Sequence, residues 1–154
     1  MVKVELNNKM KTHVCRKQMN LFLDYGAKLM NRSAGSGLLE DKKDHLVSVA
    51  IVSPREIKKL NKIYRKKDAV TDVLSFESED EFGLDEEGIG EIIICLDQAK
   101  KQARELKYSY KKEINRLVLH GYLHLLGFDH IKNKDAKTME ALEEKIMNKF
   151  YDQN

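Results

Sequence analysis

The chain has 154 residues, 42% hydrophobic and 34% charged, a size and balance that suit one globular domain whose core needs no covalent staple. Its 28 basic side chains exceed its 25 acidic ones too little, net +3, for the total to indicate a nucleic-acid partner. Cys15 and Cys95 form no CxxC unit, which excludes a secreted disulfide framework and fits a reducing cytoplasm; with no apolar signal core and no run of roughly 18 apolar residues, neither export nor membrane insertion is expected.

Val2 to Leu6 alternates as a short strand, and NNKMKT breaks it. From Cys15 onward Met19, Phe22, Leu23, Gly26, Leu29 and Met30 recur at helical spacing, predicting a long amphipathic helix that SAGSG, residues 33–37, ends as a loop. LVSVAIV, 46–52, is β-branched and nearly all apolar, as in a strand covered on both faces. Ser53-Pro54-Arg55-Glu56 reads as a helix start, with Ser53 as cap, Pro54 in the first position and Glu56 completing a capping box; the helix runs to about Tyr64.

Val73–Phe76 and Ile89–Cys95 are further strands on either side of an acidic loop. Asp97 is the expected cap of a helix running to about Lys107, and Ser109 of the next, whose apolar positions Ile114, Leu117, Val118, Leu125 and Leu126 lead into a histidine cluster. Asp135 is the expected cap of a last helix carrying Met139, Leu142, Ile146 and Phe150 on one face. The pattern predicts an α+β fold, a single domain with a small mixed, mostly parallel sheet of about four strands packed with about five helices.

Charge is segregated along the chain. Residues 55–67, REIKKLNKIYRKK, hold seven basic side chains and one acid; 77–91 hold eight acids and no base; 100–112 are basic again. Such segments either give one face of the molecule a definite electrostatic sign or are solvated helix and loop surfaces.

HGYLHLLGFDH, residues 120–130, contains three of the five histidines. Residues four apart on a helix differ by about 40° around its axis and lie about 6 Å apart along it, so His120 and His124 share a face. Gly127 is placed to end the helix in a left-handed conformation with Phe128 folding back towards Leu123, and the reversed chain then carries His130 towards the same point. Three imidazoles suit zinc and leave its fourth position for water, the arrangement of a hydrolytic site; packing alone is the bland alternative, and apolar side chains would serve it better. Zinc peptidases of the HExxH type place a glutamate where this chain has Gly121, so a peptidase would need its base from elsewhere. Asp129, beside His130, is a candidate to orient a ligand or accept a proton, or a plain turn aspartate.

HGYLHLLGFDH, LNKIYRKKDAVTDVLSF at 60–76 and GEIIICLDQAKKQA at 90–103 together resemble the YbeY family of bacterial and organellar endoribonucleases in order and spacing. The resemblance implies one metallohydrolase domain over 1–154, with one Zn2+ held by His120, His124 and His130. It implies cleavage of single-stranded RNA in ribosomal RNA maturation, including the small-subunit 3′ end, and in ribosome quality control. The small ribosomal subunit and its proteins would be partners. Arg65 falls on the family's functional arginine, where a guanidinium could fork onto phosphate oxygens. Val70 stands where the family usually has proline, and Glu91 where GDI is commoner than GEI; Thr71 and Asp72 read chiefly as turn and strand-entry residues. Two other readings stay open: a ribosome assembly factor with a structural metal, and a metallohydrolase of another substrate. The sequence leaves zinc against nickel undecided, and likewise water against the RNA 2′-hydroxyl as nucleophile.

Overall fold

The apolar runs LVSVAIV and IIIC become the two central strands of one sheet. The computed structural model describes residues 1–34, 45–78, 88–128 and 133–152. In chain order these form β1 (Val2–Asn8), α1 (Arg16–Ala34), β2 (His45–Val52), α2 (Pro54–Arg65), β3 (Val73–Glu77), β4 (Gly88–Cys95), α3 (Leu96–Glu105), α4 (Tyr110–Leu125) and α5 (Asn133–Asp152). The sheet order is β1-β2-β4-β3; β1, β2 and β4 are parallel, and β3 is antiparallel to β4 along its edge. The expected α+β architecture, a mostly parallel four-stranded sheet with five helices, is the one observed among the described residues.

Strand periodicity sorts the core into two layers. Val47, Val49 and Ile51 of β2 and Ile92 and Ile94 of β4 face one side, where they bury Met19, Phe22 and Leu23 of α1, Leu117 and Val118 of α4, and Met139 and Ile146 of α5. The intervening Ala50, Val52, Ile93 and Cys95 face the other side and bury Ile57 of α2. Both faces are covered, which is why these strands read as continuous apolar runs. Edge strand β1 keeps the alternating pattern, Val2 and Val4 buried and Lys3 and Glu5 exposed.

Caps follow the sequence in part. Ser53 adopts an extended backbone and its hydroxyl accepts the Glu56 N–H at 3.3 Å, while the Glu56 carboxylate pairs with Lys9. Asp97 is not the cap of α3: β4 runs straight into that helix, so the cap position falls on buried Cys95, and Asp97 lies in the first turn, where a negative charge suits the helix dipole. Asp135 is not the cap of α5 either, because the helix already begins at Asn133. Helix α1 absorbs Ser33 and Ala34 before the glycines; the rest of SAGSG lies outside the described residues.

Two contacts fix α4 on the sheet. Fully buried Tyr122 brings its hydroxyl 3.2 Å from His45 Nδ1 at the start of β2. At Gly90, φ is +150°, and a Cβ would lie 2.3 Å from the Phe76 carbonyl oxygen and 2.7 Å from Leu125 Cδ2. Only glycine allows β3, β4 and the end of α4 to meet there.

Candidate metal centre

Ser109 caps α4 by accepting the Lys112 N–H at 3.2 Å, and Ile114, Leu117, Val118, Tyr122 and Leu123 form its buried face. His120 and His124, half-buried, stand one turn apart beside that face with ring centroids 4.8 Å apart and Nε2 atoms 3.2 Å apart. Their Nδ1 atoms point to acceptors: His120 Nδ1 lies 3.0 Å from Glu143 Oε2, and His124 Nδ1 lies 2.9 Å from the Phe128 carbonyl oxygen. A carboxylate and a carbonyl cannot donate, so each Nδ1 carries a proton and donates it. In the neutral rings both Nε2 atoms then present lone pairs towards the same point. Two nitrogens bound to one zinc at about 2.05 Å in tetrahedral array stand about 3.3 Å apart, so the observed spacing fits a shared divalent cation.

The helix ends as LGF suggests. Gly127 has φ +89°; its N–H donates to the His124 carbonyl at 2.9 Å, and the Phe128 N–H donates to the Leu123 carbonyl at 3.1 Å, the paired bonds of a Schellman motif. That motif also delivers the Phe128 carbonyl to the His124 ring, so one turn both stops the helix and orients an imidazole. Gly121 faces the sheet: a Cβ there would lie 2.8 Å from Ile92 Cγ2. A glutamate at that position has no room.

Behind His120 lies a polar chain within the helical layer. Arg116 donates from Nη1 to Glu143 Oε1 at 3.0 Å and from Nε to fully buried Glu113 at 3.0 and 3.1 Å, and Glu113 also accepts the Tyr108 hydroxyl. Burial pushes the Glu143 carboxyl up, but the bonds from His120 and Arg116 outweigh it and hold the group below the ordinary carboxylate range. The Glu113 bond, opposed by burial, raises Arg116 further, so its charge is permanent.

Arg65, the exposed last residue of α2, donates from Nη2 to the Ser75 carbonyl at 2.8 Å and stacks its guanidinium 5.5 Å from the Phe76 ring centroid. Tyr64, also exposed, meets Phe76 edge-on at 5.2 Å. Asp72 and Ser78 bond directly to their β4 partners, so alternation turns the Ser75 carbonyl towards the free edge of β3, which Arg65 covers. On its inner side β3 packs along α4.

Residues 5–151 match the family described as endoribonuclease YbeY. The chain belongs to that family. A relative named endoribonuclease YbeY from Macrococcus caseolyticus (strain JCSC5402) is 46% identical over 109 residues, 68% of this chain and 71% of the relative. One of the same name from Bacillus pumilus (strain SAFR-032) is 46% identical over 121 residues, 73% of this chain and 76% of the relative. The solution structure of TM1509 from Thermotoga maritima is similar at TM-score 0.61 and 28% identity, covering 99% of this chain and 91% of that one.

In this YbeY-family chain the structure brings His120 and His124 together and places Arg65 on the β3 edge. His130 and Asp129 lie outside the described residues, as does most of the acidic segment, 79–87; among the described residues no group of three metal-ligating side chains occurs. Asp72 does act at the strand entry, accepting the Val73 N–H at 2.8 Å and Gln102 Nε2 at 3.0 Å. Glu91 and Val70 are exposed. No helix among the described residues is long and apolar enough to cross a membrane. Sequence reasoning missed Glu143, Arg116 and Glu113. A signal existed: Glu143 follows Met139 by four and precedes Ile146 by three, a carboxylate within the apolar stripe of α5.

Proposed function

We propose that this chain is a metal-dependent endoribonuclease that cleaves single-stranded RNA in ribosomal RNA maturation and ribosome quality control, in the cytoplasm, in contact with the small ribosomal subunit. The observation that carries the metal reading is the convergence of His120 and His124 Nε2 at 3.2 Å with both Nδ1 protons committed elsewhere. His120, His124 and His130 would hold one Zn2+, the third delivered by the turn at Gly127. Bound there, zinc would supply Lewis-acid chemistry, polarising a phosphoryl oxygen or acidifying a water.

The chain's own residues would do the rest. Arg65 already holds its guanidinium in a fixed pose on a backbone carbonyl, and a phosphate oxygen, being charged, is a stronger acceptor than that carbonyl. Exchange of one for the other would clamp the RNA backbone and stabilise charge on the pentavalent phosphorus. Asp129, next to the third proposed ligand, is the candidate to orient it or take a proton. The exposed cations of α2 and the following turn offer a track for the backbone, with Tyr64 and Phe76 as aromatic surface beside it.

The test incubates single-stranded RNA with the purified protein, with the chelated and zinc-restored protein, and with a His124→Ala variant. Cleavage by the zinc-loaded wild type, lost in the other two states and regained on restoring zinc, is expected; equal cleavage in all would sink the reading. A 2′,3′-cyclic phosphate on the products would identify the RNA 2′-hydroxyl as nucleophile. Steep unfolding on chelation, with RNA binding but no turnover in the zinc-loaded protein, would favour the assembly-factor reading instead.

A further inference from the structure

Glu143 occupies a place that packing would give to an apolar side chain. Met139 and Ile146, on the same face of α5, are fully buried, and the Glu143 side chain is only 13% exposed. A carboxylate so placed is tolerated when its oxygens are matched, and here they are divided between two donors. Oε1 takes Arg116 Nη1 and Oε2 takes His120 Nδ1, each at 3.0 Å. Arg116 is itself held by Glu113, and Glu113 by Tyr108, so a continuous chain of charge-assisted bonds runs from the start of α4 to the His120 ring.

We propose that Glu143 is a positioning residue of the metal centre, which fixes His120 in the tautomer and ring orientation that present Nε2 to the cation. The inference rests on the reading of His120 and His124 as ligands. A carboxylate behind a metal-bound imidazole fixes the ring and raises its basicity, and losing such a partner weakens metal binding by about 10- to 100-fold. His124 obtains the same service from the Phe128 carbonyl, a backbone group that no side-chain change removes. His120 depends on a residue 23 positions away on another helix. The docking of α5 is therefore part of the metal centre, and Arg116 sets the pose of Glu143 by holding its second oxygen.

Glu143→Gln is the informative substitution. The amide keeps the shape but has one accepting oxygen and one NH2 group, while both partners donate, so either His120 or Arg116 meets a donor. Zn2+ affinity, measured by competition with a chromophoric chelator, is expected to fall about 10- to 100-fold in the folded variant, and at least as far in Glu143→Ala. Circular dichroism and thermal unfolding of the metal-free proteins report the fold separately. A Glu143→Gln protein that is less stable yet binds Zn2+ like the wild type makes Glu143 a purely structural residue, which overturns the proposal. His124→Ala separates the two readings. If that variant retains wild-type zinc binding, the ligand assignment itself fails; if it loses zinc while Glu143→Gln does not, only the positioning role fails. Should the Glu143 variants not fold, 15N-histidine NMR of the zinc-loaded wild type decides. His120 must show a protonated Nδ1 and a metal-bound Nε2, and the opposite tautomer overturns the proposal.

Discussion

Gly121 and Gly127 flank His124 and are required for different reasons. Gly121 is required by space, since any Cβ there meets Ile92 in the sheet at 2.8 Å. Gly127 is required by conformation, since nothing lies within 4 Å of its Cβ position but φ is +89°. Gly121→Ala is therefore expected to destabilise by about 1–3 kcal/mol through overpacking. Gly127→Ala is expected to cost roughly 1–2 kcal/mol from backbone strain alone, and Gly127→Asn less, because asparagine tolerates the left-handed region. Urea unfolding of the three variants measures this; a neutral Gly121→Ala would show that α4 can lift from β4. The missing HExxH glutamate also acquires a physical cause: that position is packed against the sheet, so general-base chemistry from it is impossible in this fold.

At the scale of elements, α2 separates the residues that hold the fold from those proposed to meet RNA. Ile57 anchors it in the second core layer and Ser53 caps it, whereas Lys59 and Lys67 at its surface and end are exposed. Ser53→Ala is expected to lower stability by about 1 kcal/mol without touching RNA affinity. The double reversal Lys59→Glu and Lys67→Glu should do the opposite: weaken RNA binding and shrink its salt slope by about 0.7 for each phosphate no longer neutralised, at nearly unchanged stability. Binding titrations at several salt concentrations check this, and an unaltered slope would remove α2 from the RNA track. On the proposed phosphate-clamping role of Arg65, Arg65→Ala should leave the fold intact and reduce RNA cleavage by roughly a hundredfold; full activity in the folded variant would remove that role.

For the molecule as a whole, three tyrosines make stability sensitive to alkali: Tyr108 bonds Glu113 and Tyr151 accepts from Asn115 within the helical layer, and Tyr122 joins α4 to β2. Burial raises Tyr122 and Tyr151, and burial together with Glu113 pushes Tyr108 up from 10.0 to about 12. A phenol whose folded value lies above its unfolded one makes stability fall with pH across the window in which the unfolded chain has released the proton and the native state still holds it. Its contribution is complete below pH 10 and lost as pH rises through about 12 for Tyr108. The unfolding free energy should fall over that window, and less steeply in Tyr108→Phe; tyrosinate absorbance near pH 10 with full native circular dichroism and unchanged stability would refute it.

Periodicity, caps and turn chemistry act over a few residues, and they made much of this protein legible in its sequence: every described strand, the helical stripes, the Ser53 and Ser109 caps and the reversal at Gly127. The shared face of His120 and His124 belongs to the same class, because helical geometry places it without any tertiary contact. Strand order, the pairing of Arg65 with an outward carbonyl of β3, and the meeting of Glu143 with His120 were decided only by the fold. Each joins groups that local spacing cannot relate. A cap is displaced where a strand runs directly into a helix, as at Cys95, and a buried carboxylate is explained only when another element brings it a donor. The sequence by itself determined which imidazoles could face a common point; the packing of α5 on α4 decided which proton His120 gives away, and so which of its nitrogens is turned towards that point.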